Sequence, residues 1–218
     1  MRTAVTGPGG GPRGAQPRAV AGGRVRHDGT VPRIIAGSRG SRRIEAPSGA
    51  RTRPTSDRVR EALFASVDAL TELEGARLLD LYAGSGALAL EGLSRGAAHA
   101  TLVEKARDAL GVCRRNAATL GFGEVCDIVA ADVTSWLATA EPRPYDLVLA
   151  DPPYARPVAD DLTSLAERGW LAPTAVVVVE RGARDADVDW PAALTPLRSR
   201  RYGDTVLHYA RHLPHDGH

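Results

Sequence analysis

The sequence predicts an α/β protein built on a mostly parallel sheet with helices on both faces, and three observations carry that reading. From Ala76 onward, strand-length apolar runs alternate regularly with helical patterns. The first run ends in Asp80-Leu81-Tyr82-Ala83-Gly84-Ser85-Gly86, a small-residue turn that opens directly into a helical pattern. Val176-Val177-Val178-Val179 is apolar without alternation, as a strand buried on both faces should be.

At 218 residues and 43% hydrophobic content, the chain can bury one substantial core and a small appendage. Residues 1–31 are rich in Gly, Pro and Arg without a hydrophobic period, and a disordered basic tail is expected there. Order should begin near Pro32, where apolar stretches at 33–37 and 42–46 flank Ser38-Arg39-Gly40-Ser41 as a hairpin. Thr55 or Ser56 can cap a helix that places Val59, Ala62, Leu63, Val67 and Leu70 on one face. Strands are expected at 77–82, 99–104, 126–130, 145–150 and 174–180, with helices at 86–95, 107–120, 132–139 and 156–168. The last segment changes character: 197–202 and 205–209, joined at Gly203-Asp204, read as an antiparallel hairpin closing the sheet. The expected domains are thus the tail, a segment 32–72 and a main domain 73–213.

Charge is unevenly spread. The first 60 residues hold thirteen arginines against Asp28, Glu45 and Asp57, a net +10, so the remainder carries −8 to reach the overall +2. A basic arm on an acidic body suggests a polyanionic partner. Four arginines (Arg51, Arg53, Arg58 and Arg60) surround the start of the first helix. With Arg33, Arg39, Arg42 and Arg43 they make a candidate phosphate-contacting surface. Cys113 and Cys126 are too few for a disulfide framework or a metal site and read as buried thiols; no metal is expected. With no apolar run long enough to span a bilayer and no signal-peptide pattern, a cytoplasmic protein without membrane association is expected.

The glycine turn fits G-x-G-x-x-A, which serves dinucleotides and adenosyl ligands alike. Gly84 and Gly86 permit a sharp turn and close approach of a ligand. Glu104, ending the second strand, stands where a ribose-binding carboxylate belongs in either case. Asp80 decides between them, because a carboxylate beside a pyrophosphate is unfavourable while one beside a cationic amino acid end is not. S-adenosylmethionine carries such an end. Asp132, after the third strand, can bond an adenine amine or cap the next helix, or both. Asp151-Pro152-Pro153-Tyr154 follows the fourth strand. Its two prolines hold the backbone extended and supply no N–H, so carbonyls and a carboxylate act as acceptors beside an aromatic ring. That set fits the amino group of a nucleobase.

Together these motifs resemble a class I, S-adenosylmethionine-dependent, amino-group methyltransferase of Rossmann-like fold, a seven-stranded sheet with an antiparallel last strand. The stretch Arg51-Thr52-Arg53-Pro54-Thr55-Ser56-Asp57-Arg58-Val59-Arg60-Glu61-Ala62-Leu63-Phe64, preceded by Arg33-Ile34-Ile35-Ala36-Gly37, narrows the resemblance. It is similar to the bacterial 16S ribosomal RNA guanine-966 N2-methyltransferase family (the RsmD family) from about Pro32 to Arg211.

The resemblance implies methyl transfer from S-adenosylmethionine to guanine N2, leaving S-adenosylhomocysteine, on 16S ribosomal RNA or the small subunit. It implies a cofactor site at Asp80, Tyr82, Ala83, Gly84, Ser85, Gly86, Glu104, Lys105, Asp132 and Val133. Asp151 and the Pro152 carbonyl, with Pro153, would receive the amine while Tyr154 stacks on the base. Residues 32–72 would bind RNA through the arginines, and the protein would act as a monomer. Two other readings stand beside it: an adenine-N6 methyltransferase acting on DNA or RNA, and a non-catalytic RNA-binding or assembly module. A dehydrogenase is a more distant one.

Overall fold

The computed structural model describes Met1 and residues 32–47, 56–153 and 156–213. The expected tail over residues 2–31, together with Arg51, Arg53 and Tyr154, lies outside the described residues.

Seven strands form one sheet in the order β3-β2-β1-β4-β5-β7-β6. They are β1 (Arg77–Leu81), β2 (His99–Glu104), β3 (Cys126–Ala130), β4 (Tyr145–Ala150), β5 (Leu171–Gly182), β6 (Leu194–Tyr202) and β7 (Thr205–His212). The pairings from β3 through β5 are parallel, whereas β7 runs antiparallel to both β5 and β6. That is the expected class I architecture. The order reverses between β1 and β4, which puts a crevice at the carboxyl ends of those two strands.

Strand alternation divides the core in two. Leu78, Leu147, Val176 and Val178 face one side with Leu63, Phe64 and Val67 of α1 (Asp57–Asp68). That side also takes α2 (Ala87–Ser94) and α3 (Arg107–Leu120). Leu79, Val148, Val177 and Val179 face the other side with α4 (Val133–Thr139) and α5 (Ala159–Glu167). Both faces being covered explains why these strands read as unbroken apolar runs. Ile34 and Ile44 join the first of these clusters, so the N-terminal segment shares the core of the sheet. Ser56 caps α1, its hydroxyl accepting from the Val59 N–H at 3.3 Å.

Two boundaries differ from expectation for physical reasons. The hairpin around residues 38–41 is short: Arg33 bridges Arg43 antiparallel, the Ile34, Ser41 and Ile44 N–H groups donate across it to the Arg42, Ile34 and Pro32 carbonyls at 2.9, 2.8 and 2.9 Å, and a 3-10 turn occupies Gly37–Arg39. The Ile35 and Ala36 N–H groups donate to Glu91 of α2, at 2.6 and 3.0 Å, and are thereby lost to a ladder. Gly37, at φ +79°, sits against α2 so closely that a Cβ would lie 1.8 Å from the Ser94 carbonyl oxygen. β5 begins at Leu171, earlier than expected, because a register shift between Tyr145 and Leu147 of its neighbour accommodates Pro173 and Thr174.

Candidate active site

The ends of β1, β2 and β4 and the start of α4 surround a cavity roofed by Pro32, Ala46 and Pro47 of the N-terminal segment. Its floor is the glycine turn. Gly84 (φ +56°) and Gly86 (φ +78°) adopt left-handed backbone, which glycine takes without a Cβ penalty. The turn is held from three directions. The Gly84 N–H donates to Glu104 at 2.9 Å, the Cys113 thiol donates to the Gly84 carbonyl at 3.0 Å, and the Asn116 amide donates to the Ser85 carbonyl at 2.9 Å. Asn116 also donates to the Glu45 carbonyl at 3.0 Å and accepts from the Glu45 N–H at 2.8 Å, which ties the roof to the floor.

Asp80 lies at the bottom, 1% exposed. Its Oδ2 accepts from the Ala89 N–H at 3.0 Å, so it partly serves its own helix, while Oδ1 is buried without a partner among the described residues. Burial pushes this carboxyl up to about 8; the Ala89 N–H opposes the shift, and Asp151 and Glu104 add to it.

Arg60 lines the same cavity, also 1% exposed. This corrects the placement expected from sequence, because a buried guanidinium cannot form part of an exposed phosphate-contacting surface. Its terminal nitrogen donates to Asp57 at 2.8 Å and to the Arg33 carbonyl. Its Nε has no hydrogen-bond partner among the described residues and lies 3.8 Å from Glu91. Burial lowers its pKa. Asp80, with one oxygen lacking a hydrogen bond among the described residues, and Arg60, paired with Asp57 and Glu91, therefore both line one cavity.

Glu104 accepts from the Lys105 and Ala106 N–H groups at 2.8 and 2.7 Å as well as from Gly84, which fixes the carboxylate at the end of β2. Lys105 donates to Asp132 at 3.1 Å, and that contact leads the lowering of the Asp132 carboxyl. Asp132 also caps α4 through the Ser135 N–H at 3.4 Å, one of its two expected roles. Tyr82, Ala83, Ser85 and Val133 line the cavity as well. Gly86 does not: a Cβ there would meet Leu102 at 2.9 Å and Cys113 at 3.5 Å. Its freedom from a side chain serves packing and the turn into α2, rather than contact with a ligand.

Asp151 and Pro153 form the cavity's far edge, whereas Pro152 is buried and turned toward Arg181 and Gly182. Behind them stands a cluster that the sequence did not reveal. Asp161 of α5, 3% exposed, accepts from the Tyr82 and Thr134 hydroxyls. Arg156 donates to the same two hydroxyls at 2.9 and 2.8 Å and lies over the Tyr82 ring. The loops after β1, β3 and β4 are thus tied to one another. Tyr82 is held at φ +64° within this cluster, a conformation rare for a side-chain-bearing residue.

Of the other arginines, Arg42, Arg43 and Arg58 are exposed. Arg33 is exposed but pairs with Asp57 at 3.2 Å. Arg39 is half-buried, donating to the Leu120 carbonyl at 2.7 Å and lying over the Phe122 ring. Both cysteines are buried and free, their thiols pushed up by burial, Cys126 to about 12. Among the described residues, no group of His, Cys, Asp and Glu is placed to hold a metal ion, and no helix is long and apolar enough to cross a membrane.

Residues 32–211 match the family described as Conserved hypothetical protein 95. The chain belongs to this family. Its curated relatives include Ribosomal RNA small subunit methyltransferase D of Escherichia coli strain K12, 41% identical over 149 residues that cover 68% of this chain and 73% of that one. The Haemophilus influenzae protein of the same name is 32% identical over 174 residues, covering 78% and 89%. Among solved structures, yhhF of Escherichia coli is 34% identical, with a TM-score of 0.73, and covers 84% of this chain and 98% of that one. The family is the one the sequence motifs resemble.

Proposed function

We propose that this chain transfers the methyl group of S-adenosylmethionine to the exocyclic N2 of a guanine in 16S ribosomal RNA, alone or in the small subunit, acting as a cytoplasmic monomer. At the coarser level it is an S-adenosylmethionine-dependent ribosomal RNA methyltransferase. One observation carries the reading: Asp80, whose Oδ1 has no hydrogen-bond partner among the described residues, and Arg60 both line a single cavity whose edge is Asp151. A buried carboxylate and a buried guanidinium suit the ammonium and carboxylate of a zwitterionic amino acid end, which a dinucleotide lacks.

S-adenosylmethionine supplies a methyl group on a sulfonium, so no metal and no covalent enzyme intermediate is needed. Asp80 and Arg60 would hold the amino acid end and Glu104 the ribose hydroxyls, with Asp132 beside the adenine. Asp151 and the Pro152 carbonyl would accept hydrogen bonds from the guanine amine, drawing its lone pair out of the ring. As the nitrogen–methyl bond forms, the nitrogen gains positive charge, which the Asp151 carboxylate offsets before the proton leaves to solvent. Positioning and charge complementarity therefore supply most of the rate. Tyr154, next in the chain, would stack on a base drawn out of its neighbours.

Labelled S-adenosylmethionine offered with naked ribosomal RNA, small subunits or DNA tests this directly. Label is expected at guanine N2 of small-subunit RNA. Label in DNA alone would overturn the substrate assignment, and no label anywhere with intact cofactor binding would favour an RNA-binding module.

A further inference from the structure

α1 separates two arginine-bearing surfaces, and the sequence drew attention to only one of them. On its other flank, α1 and the edge strand β6 enclose a groove of about 470 Å³. Ala62, Ala65, Ser66 and Ala69 form the helix wall, and Arg198, Arg200, Arg201 and Tyr202 form the strand wall. Small side chains on one side leave room for a ligand backbone, while the other side presents the guanidinium groups of Arg198 and Arg200; Arg201 alternates to the opposite face of β6 and donates to the Gly203 carbonyl at 3.0 Å. Arg58 precedes Ala62 by one turn on the same face of α1, so a third arginine stands at the head of the groove. Of the acidic residues of α1, Asp68 pairs with Arg95 of α2 at 3.3 Å and Asp57 with Arg33 and Arg60 at 3.2 and 2.8 Å, while Glu61, one turn before Ala65, is exposed at the margin of the groove.

Arginines on an edge strand also discourage strands of other molecules from pairing there. Register argues for more than that. Arg198 is paired across from Tyr209 and Arg200 across from Leu207, two residues buried on the α1 side of the sheet. Both arginines therefore project from that face rather than along the open edge. Arg198 is also preset: it donates to the Ser66 carbonyl at 2.9 Å, lies over the Tyr209 ring and keeps a buried Nε without a partner among the described residues. The direction of the groove matters too. Tyr202 pairs with Thr205, which pairs with Gly182 at the end of β5, so the upper end of β6 lies on the same side of the sheet as Asp151 at the end of β4.

We propose that the groove between α1 and β6 is a track for the backbone of the substrate RNA, in which Arg58, Arg198 and Arg200 hold phosphates as the strand leaves the active-site mouth. The proposal rests on RNA being the substrate. It divides the grip on RNA between two sides of α1, with Arg42 and Arg43 on one side and the groove on the other.

The double variant Arg58→Ala/Arg200→Ala tests it, because both residues are exposed and neither lines the cofactor cavity. Affinity for small-subunit RNA is measured between about 50 and 200 mM salt, beside cofactor affinity and melting temperature. Binding about tenfold weaker is expected, with the slope of log affinity against log salt reduced by about two and the other two readouts unchanged. Arg58→Lys/Arg200→Lys, which keeps the charges, is expected to retain the slope. Unchanged RNA affinity and slope in the alanine variant would overturn the proposal, and self-association appearing alongside would leave the arginines as guards of the edge. Weaker binding to assembled subunits but unchanged binding to naked RNA would also overturn it, in favour of a protein contact. A wild-type protein that binds no ribosomal RNA would remove the functional reading and this one with it. Normal wild-type binding with an indifferent variant removes the groove alone.

Discussion

The loops that follow β1 and β4 leave neighbouring strands at the same edge of the sheet, yet they are built in opposite ways. The loop after β1 is part of the interior: Asp80 is 1% exposed, and its glycine turn is clasped by Glu104, Cys113 and Asn116. The loop after β4 is turned outward, with Asp151 half-buried and Pro153 exposed, and it is stiffened by its own prolines and by the Arg156 bonds to Tyr82 and Thr134. The contrast suits the two reactants. A small cofactor can be enclosed and held by buried charges, whereas a base on a large RNA must be met at an open edge. It follows that damage to the second loop should abolish chemistry while sparing the cofactor, and that damage to the first should reach cofactor affinity and stability together.

The largest effect is expected at Asp151. If Asp151 receives the guanine amine as proposed, Asp151→Ala removes an acceptor from the position where positive charge develops, and methyl transfer should fall by about 10²–10³-fold. Cofactor affinity should stay within about threefold, because Asp151 is only one of the cavity's edge residues. Single-turnover transfer and a cofactor titration read the two quantities separately, and parallel losses would mean the loops are not divided as described.

Asp80 comes next. With its carboxyl near 8 in the free protein, cofactor affinity should rise from pH 6 to pH 8 as Asp80 ionises, by up to about tenfold per pH unit at the steepest. Asp80→Asn should flatten that profile and weaken binding at pH 8 by about ten- to a hundredfold. Stability should move the other way. A carboxyl whose folded value lies above its ordinary one stabilises the fold most at low pH, and that contribution is lost as pH rises from the ordinary carboxylate range through 8. The asparagine variant should therefore melt at least as high as the wild type at pH 8 in the absence of cofactor. A lower melting temperature there would show that the charged form is tolerated and that Asp80 is not held for a cationic partner.

Much of this arrangement is legible in the sequence, and the limits have a physical cause. The alternation of strands and helices, the glycine turn, Glu104 and Asp151 are local signals, each carried by a few consecutive residues. Arg60, Glu91, Asn116 and Asp161 carry no such signal. Each is an ordinary polar residue in a helical pattern, and its role depends on partners far away in the chain, as with Asn116 and Glu45, 71 residues apart. Arg60 illustrates the failure most clearly: Arg58 and Arg60 stand in similar context and look alike until packing buries the second. Gly86 illustrates a milder one, since the sequence shows that a glycine is needed but not which neighbour forbids the Cβ.

Gly86 accordingly gives the third test. Gly86→Ala would force a Cβ to within 2.9 Å of Leu102 at φ +78°, at a cost of about 1–3 kcal/mol of stability. Gly84→Ala meets nothing nearer than 3.9 Å, so its cost should be confined to the left-handed backbone, about 1–2 kcal/mol. Because Gly84 lines the cavity and Gly86 does not, cofactor affinity in the folded protein should suffer more from the milder stability mutation. Equal effects on affinity would mean that the turn responds as one body.

The smallest effect, and the sharpest probe of how the first loop is enclosed, is Asn116→Ala. Asn116 bonds the Ser85 carbonyl below and both backbone groups of Glu45 above, and it is 3% exposed, so water cannot readily replace it. Losing it leaves buried backbone groups unsatisfied, at about 1–3 kcal/mol. If the N-terminal segment were only an RNA-binding appendage, the loss would register in RNA affinity and leave the cofactor untouched. Because Ala46 and Pro47 roof the cavity immediately after Glu45, a few-fold weakening of cofactor binding is expected instead, with RNA affinity unchanged when cofactor is saturating. Cofactor titrations with and without RNA distinguish the outcomes. A variant that binds cofactor normally would show that the roof is held by Glu91 and the Ile34 and Ile44 packing alone.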